Sequence, residues 1–397
     1  MLKENYTIEL LNLKGFNVIK TTDKVITICL PVKPHICPQC KNETRKIYDY
    51  RLQKVKHLPV AHTSYTILIK KRRYKCPYCN KQFYEKNNLL SKYKSISTDL
   101  RKSVLYYASK LFNTKQIADI CNLSYSTVVR IIDSIVVPKP TVFPDVISID
   151  EFKGNTGVYK FQCVLTDPIK KKIIEVLPNK NSEDIYGHLA NNDIKNRLKV
   201  NYVIMDMSNQ FRSIMTNCFP NAKVIADKFH VLRLANWAME HIRKQEQKRF
   251  TDTRRRYFKK SRFILLKRRH KLKRNEKIQL SHMLLSVSAL LKKAYILKEL
   301  FYMVMDSKNE KQFYKRIYKW LFLVEKYGID RFLAMAKTVR QWLHPIKRAI
   351  LTGYTNGYTE GCNNRTKVLK RICFGVRNFK RFHNRLMFIA NCKKAAG

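Results

Sequence analysis

Two acids, Asp150 and Glu151, close the apolar run VISID in a chain with 80 Lys+Arg against 29 Asp+Glu. A second apolar run, YVIMD, ends at Asp206, and a third, KVIAD, ends at Asp227. Carboxylates brought together at the ends of buried strands repel unless cations lie between them. Two divalent ions about 3.5–4 Å apart activate an attacking oxygen and stabilise a leaving one in phosphoryl transfer. Asp150 and Asp206 are candidate ligands for such a pair, and a third carboxylate is needed for the second ion. Glu360, in GYTEGCNNRTKVLKR, is the candidate: Thr359 can cap a helix in which Glu360, Asn364, Lys367 and Arg371 share one face. A metal ligand and phosphate-binding cations then lie along one stripe. Each acid alone reads as a cap or a solvated carboxylate; the three together argue for a metal site that magnesium or manganese could fill, since oxygen ligands serve both. Glu151 points to the other side of its strand and stays outside the set.

Four cysteines carry a second kind of chemistry. HICPQC and RYKCPYC are Cys-x-x-Cys knuckles, Cys37 with Cys40 and Cys76 with Cys79. Four thiolates form the ligand set of one structural tetrahedral zinc and leave no open position for catalysis. The residues between the knuckles are expected to form strands, for example Ser64 to Tyr74. His35, His57 and His62 read as surface histidines.

The periodicity of the chain supplies the elements that must hold these groups. Strands are expected at Val146–Asp150, Tyr159–Thr166 and Lys172–Leu177, then a helix Ser182–Arg197, the strand ending at Asp206, a helix Gln210–Cys218, and the strand ending at Asp227. Three antiparallel strands followed by helix, strand, helix and strand is the order of an RNase H-like α/β fold, in which the first and fourth strands are neighbours. Upstream, NTKQIADICNLSYSTVVRIIDSIV has the pattern of a helix-turn-helix that presents Tyr125, Ser126, Thr127 and Arg130 to a major groove. Between Asp206 and Glu360 the chain is far longer than a sheet requires. Residues 243–274 hold 16 Lys/Arg against two acids, with Phe250, Tyr257, Phe258 and Phe263 interleaved. An all-helical insertion is expected, its basic arm, including Arg254, Arg255 and Arg256, tracking a DNA backbone and most of its aromatics packing between helices. The expected division is a zinc-binding module (1–90), a helix-turn-helix domain (91–140), a first catalytic part (141–240), the basic insertion (241–340) and a last catalytic part carrying Glu360 (341–397).

A net charge of +51 points to a polyanion partner, and nucleic acid is the one expected. The start of the chain lacks a signal-peptide pattern, and the longest apolar-rich stretch, LLSVSALL, is too short to span a bilayer. A soluble intracellular protein in a reducing compartment is expected.

The phrases IDEFKG, VIMDMSNQF, NAKVIADKFHV and YTEGCNNRTKVLKRICFGVRNFKRF resemble the signature segments of bacterial insertion-sequence transposases of the ISL3 family, DDE enzymes with an N-terminal zinc module and a helix-turn-helix. The resemblance spans nearly the whole chain. It implies that Asp150, Asp206 and Glu360 form the acidic triad holding two divalent ions, and that the partners are terminal inverted repeats and target DNA, with no small-molecule substrate and no membrane. It also implies a cytoplasmic, nucleoid-associated protein acting as a homodimer or higher oligomer. Asp227 and His230, in DKFH, resemble an Asp-x-x-His element for which structural and catalytic roles are equally open. LPNKNSEDIY departs from the family in lacking an arginine after the third strand. Two rivals are an idle DNA-binding regulator derived from a transposase and a structure-selective nuclease on the same fold.

Overall fold

In TILIKKRRYK, Ile67 and Ile69 are buried and Lys70 is turned outward, and after a shift of one residue Arg72 and Tyr74 are buried, two stretches of the period-2 pattern of a half-buried strand. The computed structural model describes residues 8–60, 63–91, 94–138, 142–156, 158–286 and 288–391. The chain forms two units: Met1–Pro138 with Val368–Gly397, and Lys139–Lys367.

The first unit begins with β1 (Asn17–Thr21), β2 (Val25–Cys29), β3 (His35–Ile36), β4 (Glu43–Thr44), β5 (Ile47–Lys56), β6 (Thr66–Lys75) and β7 (Gln82–Tyr84). The main sheet runs β1-β2-β6-β5, with β7 also on β6, and β3-β4 is a separate ribbon. Each Cys-x-x-Cys knuckle is a tight turn of one design. Cys37 N–H donates to Asn42 O (2.9 Å) and Lys41 N–H to Cys37 O (3.1 Å); Cys76 N–H donates to Lys81 O (3.0 Å) and Asn80 N–H to Cys76 O (3.0 Å). Lys41 and Asn80 take the left-handed conformation that closes each turn. The two turns face each other: Cys37 Sγ lies 3.5 Å from Cys79 Sγ, and Cys40 Sγ 3.4 Å from Cys76 Sγ. All four sulfurs fall within 4.8 Å of one another, a fit for one tetrahedral ion.

The histidines differ from expectation. His57 is buried, with Nδ1 2.8 Å from Ser97 Oγ and Nε2 2.5 Å from Leu11 O; two polar partners allow an imidazole to sit in a core. His35 packs on Tyr74 at 4.5 Å. His62 lies outside the described residues.

Three helices follow: α1 (Thr98–Ser109), α2 (Thr114–Cys121) and α3 (Tyr125–Asp133). Asn113 and Gln116 form a capping box at the start of α2, and Asn122, left-handed at φ 47°, ends it. Ser124 caps α3. Leu100, Val104, Ile117, Val128, Ile131 and Ile132 form the core between the three.

The second unit is built on β8 (Val146–Thr156), β9 (Tyr159–Asp167), β10 (Lys172–Leu177), α4 (Ser182–Ala190), α5 (Ile194–Arg197), β11 (Tyr202–Met205), α6 (Asn209–Cys218), β12 (Lys223–Ala226) and α7 (Lys228–Gln247). The expected helix Ser182–Arg197 is two pieces, because Asp193 caps a new helix with its own side chain on Lys195 N–H. The sheet order is β10-β9-β8-β11-β12, antiparallel across β10, β9 and β8 and parallel across β8, β11 and β12. On one face Ile147, Ile149, Val203 and Met205 pack with Ile185 and Leu189 of α4 and Phe211 and Met215 of α6.

Beyond α7 the chain is helical: α8 (Asp252–Lys260), α9 (Arg262–Leu266), α10 (Arg274–Ser286), α11 (Ala289–Met305), α12 (Glu310–Tyr327), α13 (Asp330–Gln341) and α14 (Leu343–Thr352). Phe258 is buried and meets Phe250 edge-on at 5.1 Å, whereas Phe263 is exposed; the side chain of Tyr257 lies outside the described residues. Arg243 is also buried, held by Glu240 at 2.7 Å and Gln247 at 2.7 Å. Ala349 of α14 joins Val146, Ile204 and Ile225 on the second face of the sheet. Among the described residues no helix is long and apolar enough to cross a membrane.

The last helices are α15 (Gly357–Ile372) and α16 (Phe379–Asn391). The stretch expected as one closing piece, 341–397, divides at Val368. Buried Arg385 of α16 donates from Nη2 to Ala108 O at 3.3 Å and to Phe112 O, and from Nη1 to Cys373 Sγ at 3.1 Å, while Arg381 pairs with Asp133. These bonds hold α16 against α1 and α3.

Because the sulfur cluster joins two turns that share little apolar core, Cys76→Ser is expected to raise amide exchange across residues 33–84. Exchange in Tyr202–Ala226 should stay at the wild-type level, as read by hydrogen–deuterium exchange mass spectrometry.

Candidate active site

Strand register brings the acids together. In the parallel pair β8/β11, Ile204 is opposite Ser148, so two residues on Asp206 is opposite Asp150. In β11/β12, Met205 is opposite Ala226, so Asp206 is also opposite Asp227; Asp227 N–H donates to Met205 O at 2.8 Å, continuing the ladder. Asp150 within β8 and Asp206 and Asp227, the residues that directly follow β11 and β12, thus share one region of the sheet. They lie at the carboxyl ends of β11 and β12, the end of a parallel sheet where ligands bind.

Glu360 comes from α15, and polar contacts in the protein interior seat this helix. Asn356, just before it, accepts from Ser148 Oγ; Thr359 Oγ1 meets Thr166 Oγ1 at 2.8 Å; Asn363 Nδ2 donates to Asp150 Oδ2 at 2.8 Å. All five of these partners other than Asp150 are buried. Ser148 and Thr166 are themselves register partners on β8 and β9. Positions 356, 359 and 363 form the stripe of α15 that meets the sheet, and Glu360 stands half-buried at its edge. Asn364, Lys367 and Arg371 are exposed. The sequence pattern pointed to Asn364 beside Glu360; the asparagine that reaches an acid is Asn363, since the face of α15 toward the sheet is one residue removed. Nothing in local periodicity distinguishes the two.

The electrostatics are those of crowded acids. Burial pushes Asp150 up to about 6, with Asp206 and Asp227 adding to the effect, while Glu151 N–H (2.9 Å) and His230 oppose it. Asp206 is also raised, by burial and then by Glu151 and Asp227, and its Oδ1 is buried with no hydrogen-bond partner. Glu360 is raised by burial and by Asp227. Such orphaned, cation-seeking oxygens fit divalent metal ligands. Among the described residues, only the four cysteines form a set of His, Cys, Asp or Glu ligand atoms all within 4.8 Å; the acids are more widely spread.

Asp227 caps α7, accepting from Phe229 N–H at 3.2 Å, and its Oδ2 lies 2.7 Å from His230 Nδ1. That bond raises the His230 pKa, and the positive charge of the ring opposes the upward pKa shifts of Asp150, Asp206 and Glu360. Farther along α7, Arg233 lies 4.6 Å from the Trp237 ring and 5.8 Å from Phe229, both exposed aromatics. This stripe was not singled out from sequence; its signal is the i, i+4, i+8 spacing that begins beside Asp227. Glu151 pairs with Lys180 at 3.0 Å, and Lys180 lies 4.7 Å from the Phe161 ring. The segment that lacks the family's arginine therefore still places a cation beside Glu151.

In α3, Tyr125, Ser126 and Arg130 are exposed, and half-buried Thr127 accepts from Arg130 at 3.2 Å. Arg255 and Arg256 are exposed on α8, and the side chain of Arg254 lies outside the described residues.

A family profile for ISL3-type DDE proteins, described as transposase, matches residues 147–386. The chain belongs to the ISL3 family of DDE transposases. A second profile, the zinc finger of the transposases of IS204, IS1001, IS1096 and IS1165, matches residues 33–79 and so covers both knuckles of the transposase. The transposase of insertion sequence element IS1001 from Bordetella parapertussis is 24% identical over 377 residues, 90% of each chain. The protein is thus a transposase, an enzyme whose partner is DNA and whose family uses divalent metals.

The raised Asp150 carboxyl has a consequence for stability. Its folded pKa of about 6 exceeds the ordinary 3.8, so its contribution is fully present below pH 4 and lost as pH rises through 6. Asp150→Asn is expected to stabilise the metal-free transposase at pH 7 by roughly 2–3 kcal/mol, with the gain vanishing near pH 4, as measured by urea unfolding in chelator. Asn363→Ala, which frees Asp150 to rotate, is expected to weaken divalent-ion activation of DNA cleavage about 10–100-fold. A magnesium titration of cleavage rate would show the loss recovering at high metal.

Proposed function

We propose that this transposase binds the terminal inverted repeats of its own element through α2 and α3, and cuts and joins DNA at Asp150, Asp206 and Glu360. The observation that carries the reading is the parallel pairing of β8 and β11, which ends at Ser148 and Ile204, two residues before Asp150 and Asp206, with Glu360 brought up on the helix that Asn363 ties to Asp150. The strand order and the interrupting helices support an RNase H-like catalytic domain with an all-helical insertion. The capping box, left-handed Asn122 and Ser124 cap support a helix-turn-helix in which α3 is the reading helix.

In this reading the three carboxylates hold two magnesium or manganese ions. Divalent ions there supply Lewis-acid stabilisation of charge on the phosphate and acidify the attacking water or hydroxyl. Asn363 fixes the rotamer of Asp150. Asp227 and His230 act as a positioning pair: the ring offsets the negative potential of the acids and Asp227 orders the start of α7. Lys367 and Arg371, exposed along the Glu360 side of α15, and Arg255 and Arg256 of α8 contact phosphates. The four cysteines hold one structural zinc. Cleavage by water frees a 3′ hydroxyl, which then attacks target DNA, and pairing of two element ends calls for a homodimer or larger assembly.

The test is excision and joining of a marker flanked by the gene's own neighbouring DNA, alongside binding to that DNA. Wild type is expected to excise and join, and Asp150→Ala to bind the repeat with excision abolished. Cleavage without strand-transfer products would favour a nuclease, and binding with no reaction in either protein a regulator.

A further inference from the structure

Arg385 is 4% exposed and, among the described residues, has no carboxylate partner; its guanidinium meets only the carbonyls of Ala108 and Phe112 and the Cys373 sulfur. Its Nε has no hydrogen-bond partner. A buried cation left without an anion is costly, and Arg385 is not sealed in: it lines a cavity of about 260 Å³ shared with Thr114, Tyr125, Arg377, Asn378 and Arg381. Burial accordingly lowers the pKa of Arg385, with no acid to restore it.

The wall of the cavity adds positive potential. Val376 to Arg381 include the first turn of α16, a 13-residue helix whose end is capped by Asn378 Oδ1 accepting from Arg381 N–H at 2.9 Å, and the amino end of a helix favours anions. Arg381 is already neutralised by a two-pronged contact with Asp133, 2.7 Å at both nitrogens. Arg377 and Arg385 supply the remaining charge, one exposed at the mouth and one buried. Tyr125, the first residue of α3, stands on the same wall and is exposed. The chain reaches this position by a left-handed turn at Phe374 and Gly375, where Gly375 N–H closes on Lys370 O at 2.9 Å.

We propose that Arg385, Arg377 and the amino end of α16 form a binding site for a backbone phosphate of the DNA read by α3, so that the C-terminal segment completes the DNA-binding surface of its unit. The proposal rests on the reading of α2–α3 as a DNA-binding pair and deepens it: α3 supplies base contacts, and the C-terminal segment anchors the strand beside it.

The experiment is the affinity of the full-length transposase for a terminal-repeat duplex and for an unrelated duplex across a series of salt concentrations. Arg377→Ala is expected to weaken both duplexes by a similar factor, roughly five- to tenfold, and to reduce the slope of log K against log salt by about one. Arg385→Gln, with folding checked by thermal melting, is expected to change the slope in the same direction. Unchanged affinity and slope in both variants would overturn the site. Inorganic phosphate is the second probe: thermal protection of the wild type by phosphate, lost in Arg377→Ala while DNA affinity and slope stay unchanged, would mean that the site takes a free anion, and would overturn the DNA assignment. Arg130→Ala separates the underlying reading. If it leaves repeat binding intact while Arg377→Ala weakens it, the helix-pair reading fails and the phosphate site stands.

Discussion

The parallel register of β8, β11 and β12, carried past its last pairs, sets Asp150 of β8 level with Asp206 and Asp227, the residues that follow β11 and β12, and much of the second unit serves to make that repulsive arrangement tolerable. Burial, with neighbouring carboxylates adding to it, raises the pKa values of Asp150 and Asp206. The surroundings answer with the Glu151 N–H on Asp150, the Asn363 amide on the same carboxylate, and His230 on Asp227. Asp206 Oδ1 is left without a partner. An unpaired buried oxygen is a cost that a bound cation would offset, so the feature that weakens the metal-free fold is the one that suits the proposed chemistry.

The sheet is asymmetric in a way that follows from this. One face is sealed by aliphatic and aromatic residues from α4 and α6. The other combines a small apolar patch at Val146, Ile204, Ile225 and Ala349 with the polar contacts Ser148–Asn356, Thr166–Thr359 and Asp150–Asn363. Apolar packing alone would let α15 slide along the sheet at small cost. Hydrogen bonds between buried groups do not, because a shift would strand each donor and acceptor. The position of Glu360 is therefore set by hydrogen bonding to the strands that carry the other acids.

The large positive charge is not all spent on DNA. Arg72 with Glu85, Arg243 with Glu240 and Lys298 with Glu299 are cations enclosed in the protein with an acid partner. Arg385 lacks one, which is why it marks a place for an external anion. Exposed cations of α3, α8 and α15 are solvated and free to meet phosphates, consistent with a protein whose partner is DNA.

Local pattern in the sequence determined a good deal. Asp206 and Asp227 at strand ends, the order of strands and helices, the two cysteine knuckles, the capped helix pair and the helical insertion were all legible, because periodicity, capping and turn chemistry act over a few residues; the expected strand end at Asp150 was not, since pairing with β9 carries β8 on to Thr156. Tertiary structure alone decided the rest. Asn363 rather than Asn364 reaches an acid 213 residues away; His57 is buried through Leu11 and Ser97; residues from Val368 onward join the N-terminal unit; and Arg385 is enclosed beside Ala108 and Phe112. The physical reason is common to these cases. Which buried polar group meets which partner depends on how distant elements pack, and the local pattern of a helix or strand leaves that choice open.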